Sequence, residues 1–207
     1  MTIKALIFDF GGVLMRTEDL APRRKWEVRY GLKDWGLAEL VYGNPFSAQA
    51  TVGQGEVEAV WRHVLETLKL DQAELAALQG DFWAGDRLDT ELIGFVARQR
   101  PERRTAILSN AWPDARTYFN SHPEIRQAFD LLVISSEEGV AKPDPEIYRR
   151  ALDKLGVGAP EAVFVDDMPA NVEGAQALGI AGILFQTRDQ TIKELEYLLQ
   201  EESENRT

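Results

Sequence analysis

At 207 residues with a formal charge of −11, the chain is long enough for one good core and a smaller second lobe, and it lacks the basic face that a nucleic-acid binder needs. It has no cysteine and only two histidines, His63 and His122, which excludes disulfides and thiolate chemistry and argues against a histidine-rich zinc centre. No stretch approaches the ~18 apolar residues of a membrane span, and no basic region leads into a long apolar run at the N-terminus, so the expectation is a cytoplasmic protein without nucleic-acid or membrane partners.

The first predicted strand, residues 3–9, ends in Asp9 and passes straight into a Gly11-Gly12 turn. Residues 16–86 then contain no convincing strand. Val57, Val60, Trp61, Val64 and Leu68 fall on one stripe at helical spacing, as do Leu75, Leu78 and Phe82. At about 70 residues this segment is too long for one crossover, and it reads as an all-helical insertion tethered near Met15–Thr17 and Gly85–Leu88. Within it Arg16, Arg23, Arg24, Trp26 and Trp61 read as surface charges and core aromatics. From there helices and strands alternate. Helices are predicted over 89–99, 113–120, 145–155, 171–178 and 191–200, and strands over 104–108, 131–135, 162–166 and 181–185. The strands are nearly continuous in apolar residues rather than alternating, as expected of parallel strands covered on both faces. The fold class is therefore α/β, a doubly wound, Rossmann-like parallel sheet. Its core comprises residues 1–15 and 87–207, with 16–86 as a helical cap. The polar end "QEESENRT" is expected to fray.

Chemistry-bearing residues follow four of the strand ends, where open α/β sheets bind ligands. A carboxylate at a buried strand tip is costly unless paired or used, and Asp9 beside flexible glycines suits in-line attack on an electrophile. Ser109 and the amide of Asn110 suit an anionic oxygen, or simply cap the next helix. Lys142, in a loop constrained by Pro143 and Pro145, can neutralise a carboxylate and a phosphoryl group, or merely face solvent. The adjacent acids Asp166 and Asp167 repel unless a hard cation lies between them, and Asn171 lies where it can cap or orient that site. Nucleophile, anion binder, cation and acid pair together are the set that phosphoryl transfer needs.

The order Asp9, Ser109, Lys142 and Asp166-Asp167 resembles the four motifs of the haloacid dehalogenase-like hydrolase superfamily. The helical insertion resembles its first type of cap. "LSNAWP", "GVAKPDPEIYRRAL" and "VFVDDMPANVEGAQALGI" are most similar to the subgroup of sugar-1-phosphate phosphatases and the phosphatase domain of soluble epoxide hydrolases. The resemblance implies a phosphatase acting on a small phosphorylated substrate, such as a sugar phosphate, through an aspartyl-phosphate on Asp9. It implies Mg2+ held by the Asp9 carboxylate, the Gly11 carbonyl and Asp167, with Asp166 binding through water or orienting a ligand. Ser109 and the Asn110 amide would hold phosphate oxygens, Lys142 would pair with Asp9 and the phosphoryl group, and Asn171 would support the metal loop.

The chain departs from the family pattern at Gly11, where most of these phosphatases carry a second aspartate for proton transfer. General acid–base help is worth about 10²- to 10⁴-fold, so its loss handicaps the reaction without forbidding it and favours substrates with good leaving groups. Glu18 and Asp19 are the nearest cap acids that could replace it. A dehalogenase, a phosphonate hydrolase using Lys25, Lys33 or Lys69, and a non-catalytic phosphometabolite-binding protein are the competing readings.

Overall fold

The computed structural model describes residues 2–204. Five parallel strands form the central sheet: β1 (Ala5–Phe8), β4 (Arg104–Ser109), β5 (Leu131–Ile134), β6 (Ala162–Asp166) and β7 (Ala181–Leu184), in the order β5-β4-β1-β6-β7. Strand order reverses at β1, whose neighbours are β4 and β6. The crevice where ligands bind in such sheets therefore opens at the tips of these three strands.

The continuous apolar runs have a simple cause, because each strand feeds both faces. Leu6, Phe8, Ile107, Val163 and Val165 point to one side, where they meet Leu92, Val96 and Phe119. Ala5, Ile7, Ala106, Leu108 and Phe164 point to the other, against Ile147, Tyr148 and Ala151. The first face is covered by α6 (Thr90–Gln99), α7 (Ala115–Ser121), α8 (Pro123–Ala128) and α12 (Arg188–Glu204), the second by α10 (Pro145–Leu155) and α11 (Pro169–Gln176). A single turn, α9 (Ser135–Glu138), follows β5. Of the polar end expected to fray, residues 200–204 belong to α12 and 205–207 lie outside the described residues. No helix among the described residues is long and apolar enough to cross a membrane.

Five helices make up the insertion after β1: α1 (Ala21–Tyr30), α2 (Gly36–Tyr42), α3 (Pro45–Thr51), α4 (Val57–Leu68) and α5 (Gln72–Ala84). The two predicted stripes of α4 and α5 do face a common core: Val60, Trp61, Val64, Leu68, Leu75, Leu78 and Phe82 are buried together with Trp26, Leu37 and Val41. Side-chain caps set several starts. Asn44 accepts from Ser47 N for α3, and Asp71 forms a reciprocal capping box with Glu74 for α5.

Two features of this region differ from expectation. The insertion is entered and left through a short antiparallel ribbon, β2 (Met15–Thr17) with β3 (Asp86–Leu88). Its sequences, MRT and DRL, are too short and polar to read as strands. Arg23 is buried rather than on the surface: it donates to Phe82 O at 2.7 Å, pairs with Asp86 at 2.9 Å and lies over the Phe82 ring. Thr17 Oγ1 also donates to Asp86 at 2.6 Å, so one carboxylate clamps helix and ribbon together.

Candidate active site

Asp9 stands directly beyond β1, its N–H donating to Val165 O of β6 at 2.8 Å. That bond keeps the first residue past the strand in register with the sheet and aims its side chain at the crevice. Lys142 reaches the same point from the loop before α10. Its buried Nζ donates to Asp9 Oδ1 and to Asp166 Oδ2, each at 2.6 Å. An ammonium has three N–H groups, so one remains for a ligand.

Asn110 explains why that lysine loop sits where it does. Its side-chain oxygen accepts from Lys142 N at 2.8 Å, and its side-chain nitrogen donates to Lys142 O at 2.9 Å. The sequence reading assigned Asn110 a role through its backbone amide alone. The paired side-chain bonds, which tie the tip of β4 to the lysine, carried no local sequence signal. Ser109, buried at the end of β4, has no side-chain hydrogen-bond partner among the described residues. Its hydroxyl is free to bind a ligand, and it does not cap α7, whose N-cap is Asp114.

The two adjacent acids diverge. Asp166 is fully buried and saturated with donors: Met168 N at 2.8 Å, Asn171 Nδ2 at 3.0 and 3.1 Å, and Lys142 Nζ. It orients the lysine and is itself oriented by Asn171. Asp167 is only partly buried and lies over the glycine turn. Gly12 adopts φ +83°, and a Cβ there would fall 2.3 Å from Asp167 Oδ2, so both the conformation and the space require glycine. Gly11 is different, because a Cβ at that position meets nothing within 4 Å.

Carboxylate oxygens of Asp9, Asp166 and Asp167 lie within 4.8 Å of one another. Three carboxylates against one ammonium leave two negative charges in excess. The cost is visible in the titration of the acids. Burial pushes Asp9 up to about 6 against the pull of Lys142, with the Asp166 charge adding to the rise. Asp167 is raised for the same reasons, burial first and Asp166 second. An all-oxygen donor set with two charges to neutralise fits a hard dication.

Gly11, Ser109 and Asn110 also form part of the lining of a cavity of about 540 Å³ between cap and core. Trp61, which reads from sequence as a core residue, lines it from the cap. Neither Glu18 nor Asp19 does. Glu18 lies 3.7 Å from Arg16, and Asp19 Oδ1 accepts from Ala21 N. The cap lysines are likewise absent from the lining: Lys25 pairs with Asp81 and Lys33 with Glu39, while Lys69 ends α4.

A family model for haloacid dehalogenase-like hydrolases matches residues 3–179. A phosphatase of Mycobacterium tuberculosis is 37% identical to the chain, with 96% of each protein covered. A sesquiterpene phosphatase of Aspergillus oryzae is 28% identical over 96% of this chain and 97% of that protein. The chain spans only 17% of pig bifunctional epoxide hydrolase 2, which it matches at 40% identity over 96 residues. In fold it is similar to a haloacid dehalogenase family enzyme of Bacteroides thetaiotaomicron, solved in complex with magnesium and inorganic phosphate. The TM-score is 0.72 at 20% identity, covering 89% of this chain and 94% of that one.

Proposed function

The chain belongs to the haloacid dehalogenase-like hydrolases, and we propose that it is a Mg2+-dependent phosphatase that hydrolyses a small phosphorylated metabolite through an aspartyl-phosphate. The observation that carries this reading is the Asp9–Lys142–Asp166 chain of short contacts beside Asp167. It combines a nucleophile with a charge set that a dication completes. The relatives named as phosphatases, and the magnesium and phosphate in the Bacteroides enzyme, support it. We take residues 16–86 as the cap and the remainder as the core.

In the first step an Asp9 oxygen attacks phosphorus and the bond from phosphorus to the leaving oxygen breaks. Lys142 keeps the attacking carboxylate oriented, and its third N–H stabilises the phosphoryl oxygens as charge spreads over them. Ser109 Oγ and the Asn110 N–H bind the same oxygens from the side of β4. Asn171 and Met168 N hold Asp166, which positions the lysine without touching substrate. In the second step water attacks the phosphorus of the aspartyl-phosphate, releasing inorganic phosphate and restoring Asp9. Asp9, Asp167 and the Gly11 carbonyl would hold the Mg2+, with Asp166 next to it; when bound, the ion supplies neutralisation of the excess negative charge. No side chain at Gly11 protonates the leaving oxygen, which takes its proton from water instead.

Hydrolysis of acetyl phosphate, with a leaving group that needs no proton, tests the reading. Turnover is expected with Mg2+ and not with excess EDTA, and Asp9→Asn abolishes it. Wild-type rates in Asp9→Asn would falsify the mechanism. Acetyl phosphate turnover that survives EDTA would refute the metal requirement, and EDTA-resistant release of halide from a 2-haloacid would instead favour a dehalogenase.

A further inference from the structure

The cavity above the strand tips is built mainly from aromatic rings. Tyr42, Trp61 and Trp83 form the cap wall, and Phe10, Trp112 and Tyr118 the core wall. These rings are held by one another. Tyr42 packs on Trp83 and Trp112 with centroids 6.5 and 5.7 Å apart, Trp61 on Trp112 at 6.3 Å, and Tyr118 on Phe10 at 5.8 Å. Even so, Tyr42, Trp83 and Tyr118 keep 48%, 41% and 37% of their surface open to water. Rings fixed by their neighbours yet left wet, around a concave space that reaches Gly11, Ser109 and Asn110 at the strand tips, mark a ligand site.

Polar groups define what the site rejects. Among the described residues no lysine or arginine lines the cavity. Of its two carboxylates, Asp86 is committed to Arg23 and Thr17, and Asp114 is exposed at the start of α7. A second anionic group on the substrate, a carboxylate or another phosphate, would thus meet negative charge and no counterion. Partners for the several hydroxyls of a sugar are few in the lining, chiefly Thr51, Asn110, Asp114 and the hydroxyls of Tyr42 and Tyr118, the last already donating to Met15 Sδ. An apolar group gains from burial against every one of these walls.

We propose that the substrate is the phosphate monoester of an uncharged, largely apolar alcohol, whose hydrocarbon or aryl body fills this cavity while its phosphate meets Asp9. The assignment rests on the phosphatase reading above and narrows its substrate class. A volume of about 540 Å³ is adequate for such a body.

The test compares primary-alcohol phosphates whose leaving groups are similar: 3-phenylpropyl and n-octyl phosphate against glucose 6-phosphate and phosphoserine, with acetyl phosphate as reference. The apolar esters are expected to show KM at least about tenfold lower and higher kcat/KM than the polar pair. Trp83→Gln and Tyr118→Gln, one from each wall and neither among the reacting groups, should each erase much of that advantage through KM. Near-wild-type melting temperatures show that both variants fold, and the advantage is read within each variant as the ratio of kcat/KM for apolar over polar esters. If acetyl phosphate is turned over but the polar esters match or beat the apolar ones, or if both variants keep the full preference, the substrate assignment is wrong and the phosphatase reading stands. If acetyl phosphate is not turned over, the phosphatase reading fails first.

Discussion

Asp9 carries its charge at a cost that a metal ion should relieve, and the relief has a pH signature. Burial raises its carboxyl from 3.8 to about 6 in the folded chain. Between those values the folded protein holds more protons than the unfolded one. The contribution of Asp9 to stability is therefore greatest below 3.8, falls as pH rises, and reaches its floor above about 6. The gap is equivalent to about 3 kcal/mol at neutral pH. A dication that binds ionised Asp9 recovers part of this. With magnesium at about ten times its dissociation constant the gain is about 1.4 kcal/mol, or about 3–6 °C in Tm for a chain of this size. At pH 5 only about one-tenth of Asp9 is ionised, so the same magnesium adds about 0.4 kcal/mol and about 1–2 °C. Scanning fluorimetry at pH 5 and pH 8, with and without magnesium, reads both shifts. Asp9→Asn removes one of the two excess charges while keeping an oxygen for Lys142. Without metal at pH 8 it should melt no lower than wild type, and it should lose most of the magnesium response. Equal magnesium shifts at the two pH values, or a full shift in Asp9→Asn, would refute the reasoning.

The two glycines of the turn should respond in opposite ways. Gly11→Asp enters open space and should leave Tm within about 1 °C, while raising turnover of alkyl phosphates about tenfold or more by supplying the missing acid; lost magnesium binding in a calorimeter would contradict this. Gly12→Ala forces a Cβ onto Asp167 in a left-handed turn and should cost about 1–2 kcal/mol in urea unfolding and weaken magnesium binding. Lys142→Met leaves Asp9 and the buried Asp166 without their cation and should cost about 3–5 kcal/mol. A loss under about 1 kcal/mol in urea unfolding would mean that the trio is not tightly coupled.

The sheet was legible because its central strands are buried on both faces, so apolar runs of about four residues stand out, as in Ala5–Phe8 and residues 162–165. Chemistry-bearing residues were legible because a strand tip is where an apolar run abruptly meets a charge, as at Asp9 and Asp166. Other features depend on partners far away in the chain. The ribbon of β2 and β3 pairs residues some 70 positions apart and has no apolar pattern of its own. The bond from Asn110 to the lysine loop spans 32 positions. Tyr42, Trp83, Trp112 and Tyr118 come from four separate segments, and each alone is an ordinary core or surface aromatic. Division of labour between Asp166 and Asp167 was legible only through the family resemblance, since adjacent identical residues differ only in which donors surround them.

The ribbon has a further consequence for how such a molecule can change. Met15 pairs with Leu88 and Thr17 with Asp86, so the chain leaves the core and re-enters it at neighbouring points. Whatever lies between those points can be lengthened, shortened or exchanged at little cost in loop closure. Asp9, Lys142, Asp166 and Asp167 all stay on the core side, whereas Tyr42, Trp61 and Trp83 belong to the inserted segment. The cap's share of the cavity wall thus travels on a piece of chain separable from the reacting groups, while Phe10, Trp112 and Tyr118 stay with the core. A transplanted cap could redirect the enzyme to other alcohols while the phosphoryl-transfer machinery beneath it stayed the same.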